Sequence, residues 1–142
     1  MRKTDRRNEV LFAIKTESCF IRDPDYLDWK VSLVCNEKGY FLVGSEIGMP
    51  WGRKRRRCRF KVSSAWVASV RKQLESLTVP VAPKFEIGDD GGFTELIYGG
   101  YTGKAAYRWW SEPPRGWEPL DRFARKILDR FEELQENAEE SK

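Results

Sequence analysis

Apolar and polar residues alternate in several short runs of this chain, and twice the alternation gives way to a helical period. In residues 9–15, Val10, Phe12 and Ile14 share one face; in residues 29–35, Trp29, Val31, Leu33 and Cys35 do. Asn36-Glu37-Lys38-Gly39 reads as a turn with glycine where a positive φ is needed, which predicts a hairpin into residues 40–44. Gly48-Met49-Pro50-Trp51-Gly52 reads as a second turn, and residues 54–62 as a fourth strand. Ser63 or Ser64 can cap a helix running to about residue 77, with Trp66, Val67, Val70, Leu74 and Leu77 on one stripe. Pro80 and Pro83 end it. Residues 84–87 and 93–98 predict a hairpin, and residues 104–110 a further strand. The last helix starts near Pro119, with Leu120, Phe123, Ala124, Ile127, Leu128, Phe131 and Leu134 on its apolar face. The order strands, helix, strands, helix predicts one α+β domain: an antiparallel sheet of six or seven strands with two helices packed on one face. Residues 1–8 and 134–142 are polar and are expected to fray.

With 142 residues the chain has the length of one ordinary domain and can bury a core. Composition mostly excludes. There is no histidine, which removes the commonest general base, and the three cysteines, Cys19, Cys35 and Cys58, form no CxxC pair. A disulfide scaffold and a zinc site are therefore not expected, and the cysteines read as small strand residues. No nucleotide, metal or nucleophile motif stands in the chain. Gly99-Gly100-Tyr101-Thr102-Gly103-Lys104 lacks the spacing of a phosphate loop. A protein without catalytic residues, metal or cofactor is the expectation, in a cytoplasmic setting, because no transmembrane run is present and Val10 to Ile14 is too short for a signal peptide.

The charge is unevenly placed. The net charge is +4, but residues 1–62 carry 15 basic and 8 acidic side chains while residues 63–142 carry 11 and 14. Seven basic side chains fall within the nine positions 53–61. Clustered arginines suit phosphates and carboxylates, so Arg53, Lys54, Arg55, Arg56, Arg57 and Arg59 are candidate nucleic-acid contacts. Alternation gives the competing account: Cys58, Phe60 and Val62 point inward, while Arg57, Arg59 and Lys61 face water or guard a sheet edge. The second candidate is the aromatic segment 107–117, which holds half of the six tryptophans. In a strand Tyr107 and Trp109 share a face and Trp110 takes the other. Trp110 and Trp117 are expected in the core, while Tyr107 and Trp109 are candidate anchors for a protein partner.

Tyr107, Trp109, Trp110, Pro113, Pro114, Gly116, Trp117 and Leu120 form a strand end, a proline elbow and a helix start. Over residues 92–130 this resembles the ending of small uncharacterised bacterial α+β proteins. The layout is also similar to that of toxin-immunity proteins, from which the chain departs in being basic. The resemblance implies a non-enzymatic protein-binding module, an inhibitor or adaptor that occludes a partner surface; the aromatic segment and the basic run offer Tyr107, Trp109, Arg55 and Arg57 as its contacts. The alternative is nucleic-acid binding through the basic run, and a small enzyme stands third.

Overall fold

A computed structural model of the chain describes residues 8–18, 28–47, 56–85, 91–100 and 102–142. Six strands and two helices follow one another as β1 (Glu9–Ser18), β2 (Asp28–Asn36), β3 (Gly39–Ile47), β4 (Arg57–Val62), α1 (Ser64–Glu75), β5 (Gly92–Gly100), β6 (Gly103–Trp110) and α2 (Glu118–Glu140). The strands form a single antiparallel sheet in the order β4-β3-β2-β1-β5-β6. The first four run as a meander. After β4, α1 carries the chain back to the free edge of β1, where β5 pairs. That return leaves β4 and β6 as the two sheet edges.

The local reasons are in the sequence. The β2–β3 hairpin turns at Gly39, whose φ of +123° suits glycine, and Lys38 N–H donates to Asn36 Oδ1 at 2.8 Å. Ser63 caps α1: its Oγ accepts from Trp66 N–H at 3.1 Å. Proline in the first turn opens α2, where it breaks no helical hydrogen bond.

Alternation along each strand sets the two faces of the sheet. The register places Phe12, Ile14, Val31, Leu33, Leu42, Phe60, Val62 and Leu96 on one face, and these pack with Val67 and Val70 of α1 and with Leu120, Phe123, Ile127 and Phe131 of α2. Phe123 meets Phe12 edge-on, and Phe131 lies between Trp29 and Phe60. α2 approaches so closely at Phe131 that a Cβ on Gly44 would clash with the Cζ tip of its ring.

Three features differ from the sequence expectation. Lys84 and Phe85 are irregular rather than strand, and residues 86–90 lie outside the described residues. Among the described residues the sheet has six strands. The fourth begins at Arg57 rather than at residue 54; residues 48–55 lie outside the described residues. α2 runs past residue 134 to Glu140, and Gln135 reaches back to Cys58 Sγ at 3.7 Å.

Candidate functional site

The aromatic segment is built into the fold. Trp109 is 1% exposed on the helix-covered face, and its Nε1–H donates to Asp121 Oδ1 at 2.9 Å. Tyr107 is half-buried on the same face, edge-on to Trp117. Trp117 is buried, donates from Nε1 to the Pro80 carbonyl at 2.8 Å and meets Phe85 and Trp109 edge-on. Its ring thereby pins the loop after α1 to the elbow before α2. Trp110 is buried as expected, but on the opposite sheet face, against Phe93. The anchor role expected of Trp109 therefore has no exposed ring to rest on, because α2 covers the face to which alternation assigns it.

The other candidate splits. Arg53, Lys54 and Arg55 lie outside the described residues. Arg56 stays half exposed but is tied to a buried carboxylate: its Nε–H donates to Glu46 Oε1, its backbone N–H donates to Glu46 Oε2 at 3.0 Å, and Glu46 is fully buried. The hydrogen bond to Glu46 raises the Arg56 pKa, so this guanidinium is a fixed counter-ion. Arg57 and Arg59 are exposed on the sheet face that no described helix covers, and Lys61 follows them at the same two-residue spacing.

That open face has an order the register makes explicit. Counted along it from β4 to β6, the basic side chains are Arg57, Arg59, Lys61, Lys30, Lys15, Lys104 and Arg108, against the acids Asp28, Glu17 and Glu95. Glu17 pairs with Lys15 and with Arg108, the latter at 3.0 Å. The hydrogen bond from Lys15, only partly opposed by burial and helped by the nearby Arg108, holds the Glu17 carboxyl below its ordinary pKa. Lys30, Arg57, Arg59 and Lys61 make no ion pair among the described residues. Between the charges runs an apolar band of Val43, Ala13 and Ile97, in register across β3, β1 and β5. Val43 and Ala13 are buried although no described helix lies over them.

Two arginines on this face lie over aromatic rings. The Arg59 guanidinium is 3.9 Å from the centroid of Phe41, and that of Arg108 is 4.1 Å from the centroid of Phe93. Each arginine stands on an edge strand and reaches diagonally to a phenylalanine on the adjacent strand, two residues from its direct partner. Sequence reasoning found Arg59 but missed Phe41, Phe93 and Arg108. The alternation of β3 and β5 carried the outward phase of both rings, but the diagonal pairs need the register.

On the helix side, a cavity of about 660 Å³ has a floor of Leu11, Phe12 and Leu74 and a rim of Glu9, Arg71 and Glu75. Among the described residues no group of three histidine, cysteine, aspartate or glutamate side chains converges as metal ligands, and no helix is long and apolar enough to cross a membrane. The chain matches no family model, no curated protein and no solved structure.

Proposed function

We propose that this protein is a nucleic-acid-binding module that acts through its open sheet face. One observation carries the reading: Lys30, Arg57, Arg59 and Lys61 are gathered on the sheet face that no described helix covers, with no ion-pair partner among the described residues. Edge protection accounts for one or two charges on β4, but not for Lys30 on the interior strand β2. Unpaired cations set in a flat surface attract a polyanion and release its counter-ions on contact. Ser32 and Ser45 lie beside them on β2 and β3, where hydroxyls can donate to phosphate oxygens. The protein-partner reading took Tyr107 and Trp109 as anchors with Arg55 and Arg57 as charged contacts; Trp109 is buried and Tyr107 half-buried, Arg57 is exposed, and Arg55 lies outside the described residues.

The test is the salt dependence of oligonucleotide binding. Changing Arg57, Arg59 and Lys61 together to serine removes up to three phosphate contacts. The slope of log affinity against log salt should then become shallower by about 2 for a single strand. A wild-type affinity indifferent to salt, or a triple variant with an unchanged slope, overturns the proposal.

A further inference from the structure

The geometry points to single-stranded nucleic acid as the occupant of the open face, held at two stacking stations at opposite corners of the sheet: Arg59 on Phe41 and Arg108 on Phe93. This rests on the nucleic-acid reading above and goes further by naming the form of the ligand and its path.

The two stations are built alike. In each, a guanidinium extends from an edge strand and covers a half-buried phenylalanine on the next strand in. The ring fixes the inner side of the guanidinium, and both arginine side chains remain exposed on the outside. At the second station Glu17 also holds Arg108 through Nη2. A planar group fixed from behind and open in front is a plate on which an unstacked base can lie. A base inside a duplex is stacked on its neighbours and offers no face to such a plate, so the stations select for single strands.

Register gives the path. Phe41 pairs across to Val34, and Ser32, two residues back along β2, pairs with Ala13. Lys15, two residues further along β1, pairs with Glu95, and Phe93 lies two residues from Glu95 on β5. The line from Phe41 through Ser32 and Lys15 to Phe93 is therefore a diagonal of the open face. With a strand spacing of about 4.8 Å and a rise of about 3.4 Å per residue, it is about 25 Å long. Lys30 flanks its middle, directly opposite Lys15. A strand laid on this line has a base at each end and phosphates over Lys30 and Lys15 between them. It needs about four nucleotides or more, the lower end of single-strand site sizes.

Arginine-to-lysine exchange separates the two layers of the argument, because lysine keeps the charge and loses the plate. The experiment measures binding of fluorescein-labelled dinucleotide, octanucleotide and blunt duplex of one sequence to the full chain and to Arg59→Lys, Arg108→Lys and the double variant. Thermal melts check that each variant is folded. The expected result is an octanucleotide preferred over duplex, about tenfold weaker octanucleotide binding in each single variant, a larger loss in the double variant, and unchanged salt slopes. The dinucleotide, too short to join the stations, should respond to each single exchange by no more than about twofold. Equal affinity for duplex and single strand, or lysine variants that bind the octanucleotide as the wild type does, overturns the two-station inference while leaving the nucleic-acid reading standing. A wild-type chain that binds none of the three ligands overturns both.

Discussion

At the scale of single residues, one side chain that the sequence offered as a candidate anchor is a joint within the fold. Trp109 ties β6 to the first turn of α2 through Asp121, which also accepts from Arg125 at 2.7 Å. Trp109→Phe keeps most of the ring and removes the indole donor, and it should destabilise by about 1–3 kcal/mol, the range for stranding one buried partner. Trp109→Ala should cost about 3–5 kcal/mol through the cavity it leaves. Urea titration of the pair checks both. Gly44 is the reverse case, an absence that matters. Gly44→Ala should cost about 1–3 kcal/mol by overpacking against Phe131. A Gly44→Ala/Phe131→Leu double variant should be more stable than the two single costs added together, which a double-mutant cycle reads directly.

At the scale of elements, the caps and edges follow from rules of chain geometry. Ser63→Ala removes the side-chain acceptor at the start of α1 and should lower stability by about 1 kcal/mol, measurable as a shift in thermal midpoint. The phase of each strand was legible: alternation put Cys58, Phe60 and Val62 inward and Arg57, Arg59 and Lys61 outward, and it separated Trp110 from Tyr107 and Trp109. The order of the strands was not. Nothing local to β5 says that it pairs with β1 rather than extending the meander beyond β4, because that choice depends on where α1 delivers the chain. Without it, neither the edge position of β4 nor the diagonal between the two arginine–phenylalanine pairs can be drawn. The length of α2 was misread for a related reason. Its last turns are acidic and look unsupported in one dimension, but Glu132, Gln135, Glu136 and Glu139 line a groove with Arg56, where their charge and polarity find a counterpart.

At the scale of the whole molecule, the uneven charge of the sequence becomes a division of labour between faces. Basic side chains dominate the open face, and the acidic end of α2 stands beside Arg56 and the buried Glu46. The folded state keeps Glu17 ionised more readily than the unfolded chain does. Its contribution to stability is therefore present above the ordinary carboxylate value of 4.5 and is lost as pH falls through the lowered one. Glu17→Gln should remove that part of the acid limb, so that wild type and variant converge in stability as the pH is lowered through this window. Urea melts across the acid range check this, and a gap that widens with falling pH contradicts it. The candidate site was half legible at this scale. The density of arginine pointed to an anion, while the division between Arg56, ion-paired, and Arg57 and Arg59, without an ion pair among the described residues, depends on a buried glutamate ten residues earlier in the chain.

The close seat of Phe131 over Gly44 reaches beyond packing. Gly44 stands on β3 between Val43 and Ser45, which point to the other side of the same strand, and Phe41 stands three residues back. The height of that strand at its centre is thus set from behind by one benzene ring. On the nucleic-acid reading proposed above, a screen for lost binding would return alleles at Gly44 and Phe131 that touch no ligand. Their signature would be altered alignment of the arginines in front rather than a missing contact, so an inventory of the exposed surface alone would leave them unexplained.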